Sequence, residues 1–229
     1  MSFDPGSRAK LTHRDVGRFG EDTLFHRLAR EVCESECLAR KELFEAWEVA
    51  RRTRRRFRGG RVIDLACGHG LLAQTLLLLD DSSPSAVAVD VRLPKSAHAL
   101  RERLTRTWPR LTGRVELVQA ELSSITVGSG DLLVSCHACG SLTDLVLSRA
   151  IAAGARVAVL PCCHDKLDND QGGLGGWLDP ALAIDVTRAA RLRGHGFSVR
   201  TQTIPSSITP KNRLLLAEPD PAFLGSGSA

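Results

Sequence analysis

Apolar positions change their spacing twice along the chain. Over the first 20 residues they are sparse, and Pro5, Gly6 and Gly17 interrupt them, which predicts a loose lead-in arm. From Glu21 to about Arg58 they recur at helical spacing, through Leu24, Phe25, Leu28 and Ala29 and then Leu43, Phe44, Trp47, Val49 and Ala50. A break near Cys33 to Ala39 predicts two helices, the second stopped by Gly59-Gly60. Beyond them, short apolar runs alternate with helical stretches. RVIDLA (61–66), AVAVD (86–90), VELVQAEL (115–122), DLLVSC (131–136) and RVAVLP (156–161) read as strands. A glycine-rich loop over 171–176 and a helix over 180–193 follow. SVRTQTIP and NRLLLAEP then read as two consecutive strands, and PAFLGSGSA as a disordered tail.

Strand–helix alternation implies an α/β fold, a mostly parallel sheet with helices on both faces. The two consecutive strands at the end imply a final antiparallel hairpin, making seven strands. The expected organisation is a helical N-terminal extension over 1–58, the α/β domain over 59–217 and a flexible tail over 218–229. A length of 229 residues, 43% apolar and 25% charged, suits one domain with an appended segment and excludes a mostly disordered chain. The longest strongly apolar run, Leu71 to Leu79, is too short to cross a bilayer. The first residues carry no signal-peptide pattern. The expected location is therefore cytoplasmic, with no membrane partner and with the seven cysteines reduced unless they bind metal.

Basic residues outnumber acidic ones, 31 to 26, and only five of the 31 are lysine. Arg51, Arg52, Arg54, Arg55, Arg56 and Arg58 fall within eight positions. Guanidinium forks match phosphate oxygens, so the run is a candidate nucleic-acid surface, with Arg54 and Arg55 at its centre. A solvated helix face in an arginine-rich composition is the alternative. The segment TPKNR (209–213), between the last two strands, offers Lys211, Asn212 and Arg213 as further substrate contacts, or is an ordinary hairpin loop.

Reactive residues concentrate at strand ends. The first strand runs through Asp64 into Ala66, Cys67, Gly68, His69 and Gly70, and then into a helix. Glycine there lets the backbone turn sharply and approach a ligand closely. The second strand ends in Asp90, about twenty residues on, where a carboxylate grips a ribose diol. The full G-x-G-x-x-G dinucleotide spacing is absent. The acidic strand end with its small-residue turn resembles motif I of the class I S-adenosylmethionine (SAM) methyltransferases, whose Rossmann-like sheet also ends in an antiparallel pair. This resemblance implies SAM as cofactor, bound by Asp64, Ala66, Cys67, Gly68, Gly70 and Asp90, with Glu121 after the third strand on the adenine side. Ala66 departs from the motif, standing where its first glycine belongs.

The fourth strand runs into SCHACGSLTDL and the fifth into LPCCH. In such a sheet these strands are neighbours. Cys136, His137, Cys139, Cys162, Cys163 and His164 should gather beside the cofactor turn, with Asp144 about one helical turn beyond Gly140. Several chemistries are open. The residue types suit zinc, but alternation sends Cys136 and His137 to opposite sides and the spacing fits no standard zinc module, so no metal is expected. Cys139 or Cys162 is the candidate for a nucleophilic thiolate. His137, Asp144 or His164 is the candidate to orient or deprotonate a hydroxyl or amine. For any single cysteine, packing as a small buried side chain is the competing reading.

HACGSLTDLVL (His137 to Leu147), PCCH (Pro161 to His164) and the lead-in KELFEAWE together resemble the domain called methyltransferase family 32, over roughly residues 40 to 217. A related H-x-C-G-x-x-T-D signature, with a cysteine pair followed by histidine, occurs in the eukaryotic tRNA acceptor-stem ribose 2′-O-methyltransferases. The resemblance implies a SAM-dependent methyltransferase, transferring the sulfonium methyl directly to an acceptor held beside the cysteine–histidine cluster. RNA, either tRNA or rRNA, is the favoured acceptor; a protein side chain or small metabolite is the alternative.

Overall fold

The computed structural model describes residues 3–224. Its strands are β1 (Val62–Leu65), β2 (Ala86–Asp90), β3 (Val115–Gln119), β4 (Leu132–Ser135), β5 (Arg156–Val159), β6 (Phe197–Thr203) and β7 (Arg213–Pro219). They form one sheet in the order β3-β2-β1-β4-β5-β7-β6. The first five are parallel, and β7 runs antiparallel to both β5 and β6. This is the Rossmann-like methyltransferase arrangement expected from the alternation of elements. The chain winds outward from β1 to β3 and returns on the other side as β4. The carboxyl ends of β1 and β4 therefore flank the switch point where open α/β sheets bind ligands.

Each strand splits its side chains between two layers. Val62, Ala86, Leu132 and Val134 join the core beneath α1 (Leu24–Ser35), α2 (Arg40–Arg56), α3 (Leu71–Leu79) and α4 (Lys95–Thr107). Ile63, Leu65, Leu133 and Val157 join the core beneath α5 (Ser141–Ala153) and, through Leu192, α6 (Pro180–Gly194). α3 packs against both α2 and the sheet. A helix covered on two sides must be apolar nearly all round, and α3 is buried from Leu71 through Leu78. α1 and α2 belong to the same continuous apolar cluster as the sheet, so the helical extension over 1–58 shares the core of the α/β domain.

The loose arm expected before residue 20 is instead docked. Leu11 is fully buried and its N–H donates to Leu38 O at 3.0 Å. Phe19 is buried edge-on between Phe3 and Phe25. These anchors are too sparse to show a helical or strand period, which is why the pattern did not reveal them. At the other end, β7 runs past residue 217 to Pro219 and a short helix, α7 (Pro221–Leu224), follows. The segment expected as a flexible tail thus starts in regular structure, and its remainder, 225–229, lies outside the described residues. Among the described residues no helix is long and apolar enough to cross a membrane.

Candidate functional site

After β1 the backbone passes through positive φ at Ala66 (57°), Gly68 (54°) and Gly70 (67°). For alanine this left-handed conformation costs about 1–2 kcal/mol, so Ala66 adopts the geometry of the glycine it replaces and carries the strain. A Cβ on Gly70 would meet Leu117 at 3.0 Å, whereas nothing lies within 4 Å of the corresponding position on Gly68. Gly68 therefore leaves open space above the turn, as a ligand cradle requires. Asp90 Oδ2 accepts from Gly68 N at 2.9 Å and Oδ1 from Arg92 N at 3.1 Å. Glu121 is exposed one residue beyond Ala120, whose N–H donates to Asp90 O at 3.1 Å.

Asp64 is only 1% exposed and accepts from Ala73 N at 3.2 Å, which ties the first turn of α3 to the strand. Burial pushes its carboxyl up to about 8. It lines a narrow cleft with Cys67, Gly68, His69, Cys136 and His137, closed on the far side by Glu42 and Ala46 of α2. Burial also raises the Cys67 and Cys136 thiols and lowers His69. Glu42 is absent from the sequence-derived candidates; its only signal there was a place in the lead-in stretch before the first strand.

The second cluster gathers around the next two strand ends. Cys139, Cys162 and Cys163 bring their sulfurs within 4.8 Å of one another. Cys139 and Cys163 are exposed and Cys162 is half-buried. Burial raises the Cys162 thiol, while a hydrogen bond from Cys139 lowers that of Cys163. The thiol held lower is thus Cys163 rather than Cys162. Cys136 stays apart from this cluster, but it and His137 line the same cleft rather than opposite sides, because β4 ends at Ser135 and strand alternation no longer applies.

Asp144 and His164, two of the expected acid–base groups, are held in an ion network below this cluster. Arg188 donates from Nε to Asp144 Oδ1 at 2.9 Å and from Nη2 to Oδ2 at 2.8 Å, and Asn169 Nδ2 reaches Oδ2 at 2.9 Å. The His164 side chain is 3% exposed, with Nε2 at 2.8 Å from Asp185 Oδ1. Arg213 Nε donates to Asp185 Oδ2 at 2.6 Å. Burial alone would raise the Asp185 carboxyl, but its bonds from His164 and Arg213 outweigh burial and lower it. These groups tie α5, α6 and β7 together beneath the reactive face. Sequence pattern gave no signal for Arg188 or Asp185, which sit on an ordinary amphipathic helix. His137 is the expected acid–base residue that does line the cleft.

The arginine run requires a correction. Arg54 is 3% exposed, with Nη1 at 3.2 Å from Asp80 and Nη2 donating to Ser83 Oγ at 2.8 Å. Arg51 and Arg52 pair with Glu48, Arg56 with Glu218 and Arg58 with Asp80. Arg55 is exposed and makes no ion pair among the described residues. All six follow α2 down to the amino ends of the strands, opposite the cleft. Arg54 is a buried structural cation, and Arg55 is exposed at the end of α2 away from the cleft. The five lysines occupy the other end. Lys10 bridges to Ala39 at the head of α2 and Lys41 is in the first turn of that helix. Lys95 opens α4 after β2, Lys166 follows β5, and Lys211 sits with Asn212 in the turn between β6 and β7.

A sequence profile described as a methyltransferase domain matches residues 41–170. A glutathione S-transferase C-terminal domain-containing protein of Xenopus laevis is 28% identical over 111 residues; the match takes in 48% of this chain and only 16% of that relative's length. In fold, the chain resembles an O-methyltransferase family protein from Burkholderia thailandensis, with a TM-score of 0.53, 17% identity and coverage of 92% of this chain and 63% of the other. It also resembles M. capricolum TrmK in complex with the natural cofactor product S-adenosyl-homocysteine, with a TM-score of 0.51, 13% identity and coverage of 78% and 68%.

Proposed function

The chain belongs to the methyltransferase domain family that matches residues 41–170, and from this SAM-dependent activity we propose that it methylates RNA, tRNA or rRNA. The observation carrying the choice of acceptor is the placement of charge. Lys10, Lys41, Lys95, Lys166 and Lys211 ring the carboxyl ends of the strands. Ammonium groups bind phosphate as point charges without reading sequence. Lys211 and Asn212 keep the substrate-contact role expected of their turn, with Arg213 anchoring that turn through Asp185. The H-x-C-G-x-x-T-D signature shared with the tRNA acceptor-stem enzymes supports tRNA among the possible RNAs.

SAM supplies an activated methyl on a sulfonium whose leaving group is a neutral thioether, so the protein's main task is alignment. Asp90, already organised by Gly68 N–H, would hold the ribose diol, and the space over Gly68 would admit the cofactor backbone. Glu121 would stand on the adenine side. Glu42 lines the cleft and favours a cationic occupant, while Asp64 beside it holds its proton. His137, in the same cleft, would take a proton from an acceptor hydroxyl or amine. Asp144 and His164 act as positioning residues, holding the loops that carry the three thiols.

The test is methyl transfer from tritiated SAM into a cell extract, with products divided between ribonuclease and protease digestion. Label released by ribonuclease supports RNA as acceptor. Label released by protease, or found only in small molecules, overturns it and promotes the corresponding alternative.

A further inference from the structure

We propose that Cys139, Cys162 and Cys163 form a binding site for one zinc ion, separate from the cofactor turn. The three sulfurs lie within 4.8 Å of one another, with Cys139 Sγ at 2.9 Å from Cys162 Sγ. Zinc–thiolate bonds of about 2.3 Å in a tetrahedron set neighbouring sulfurs about 3.8 Å apart. The triangle has the size the ion requires, within reach of small side-chain rotations.

The ligands come from two loops whose relation the backbone maintains. Gly140 N–H donates to Cys163 O at 2.9 Å, and Arg188 Nη2 donates to Gly140 O at 3.0 Å. Through Arg188 the support reaches Asp144 and Asp185, none of which contributes a ligand. A scaffold of this kind fixes ligand positions before the ion arrives. As each zinc–sulfur bond forms, a thiol releases its proton to solvent. Three thiolates and a divalent ion leave one net negative charge.

The number of sulfurs argues for metal over a disulfide. A disulfide would consume two of them and leave the third in the same small triangle without a role. Thiolates select soft or borderline ions rather than magnesium or calcium. Three protein ligands leave a fourth tetrahedral vertex, the arrangement of zinc sites that bind water or an incoming donor atom. Here Cys139 and Cys163 are exposed along a groove that continues past Ser141, Asp165 and Lys166. The open vertex is therefore available to an oxygen or sulfur of whatever enters that groove.

The test loads metal-free, reduced full-length protein with excess zinc chloride, removes unbound ion and measures metal by mass spectrometry. One zinc per chain is expected, with three thiols protected from a thiol reagent until a chelator is added. Cobalt(II) chloride should give a thiolate charge-transfer band and the visible bands of a tetrahedral site. Cys139→Ser and Cys163→Ser should each weaken zinc binding at least tenfold while melting temperature and S-adenosylhomocysteine binding show that the fold is intact. Absence of zinc after loading, full zinc retention by the double variant, or a Cys139–Cys162 disulfide in reducing buffer would overturn the site. Zinc binding does not require the RNA reading to hold. Zinc without labelled RNA sinks only that reading, and labelled RNA without zinc sinks only the metal site.

Discussion

The two ends of the sheet use charge in opposite ways. At the amino ends, six arginines crowd into one helix terminus, and five of them are tied to Glu48, Asp80 or Glu218. At the carboxyl ends stand the lysines, a buried carboxyl, an alanine in a glycine conformation and three convergent thiols. The first end satisfies most of its charges within the protein. The second holds groups that burial, backbone strain or crowding keeps away from their ordinary state, as functional sites do. The contrast warns against reading function from charge density: the run most conspicuous in the sequence is the one the fold itself absorbs.

Substitutions at the two ends should separate stability from cofactor and substrate binding. The largest effect is expected from Arg54→Met. Removing one member of the buried Arg54–Asp80 pair should destabilise the fold by about 3–5 kcal/mol, read by denaturant unfolding, with cofactor affinity unchanged below the new melting temperature. Loss of cofactor binding in the folded variant would break the separation of the two ends.

Asp64→Asn should act through pH. The carboxyl titrates near 8 in the fold against an ordinary value of 3.8. The folded state therefore holds the proton that the unfolded chain has lost, so the wild type loses stability as pH rises from about 4 to about 8. The asparagine variant removes that slope. Its advantage should be small at about pH 4 and reach roughly 5 kcal/mol at pH 8. Parallel pH–stability curves for the two proteins would refute the buried-carboxyl assignment.

Asp90→Ala should weaken cofactor binding at least tenfold, about 1.4 kcal/mol, by calorimetry, because it removes both the proposed diol acceptor and the anchor of Gly68 N–H. Ala66→Gly should stabilise the protein by about 1 kcal/mol by relieving left-handed strain; a loss of stability would mean that the glycine's extra freedom in the unfolded chain outweighs that relief. The smallest effects concern RNA. Lys211→Glu should weaken binding a few-fold and lower the salt slope by about one. Arg55→Glu should leave affinity within about twofold. The reverse ranking would return the substrate surface to the arginine run.

Strand and helix order was legible because the buried parallel strands are short apolar runs bounded by glycine, and two consecutive strands announced the hairpin. The tight turn after β1 was legible from Asp64, Gly68, Gly70 and Asp90, whose spacing is set by the backbone. The ion network was not. Asp185 and Arg188 are one turn apart on α6, but their partners Asp144 and Arg213 lie 44 and 28 residues away and meet them only through packing. The role of Arg54 was hidden for the same reason, since its partner Asp80 is placed by the end of α3. The cysteine cluster was legible as a gathering, but alternation within one strand could not tell that Cys139 and Cys163, beyond the strand ends, would turn toward Cys162.

The switch point also bears on how the chain is made. β1 finds one neighbour in β2 soon after synthesis, but its other neighbour, β4, begins only at Leu132. While the ribosome adds residues 66–131 at about 5–20 residues per second, the second edge of β1 stays bare for roughly 3–13 s. That edge is an apolar template for any passing strand. The switch point between β1 and β4 is thus a place where a nascent chain is vulnerable to aggregation, and codon speed between the two strands should influence the yield of native protein.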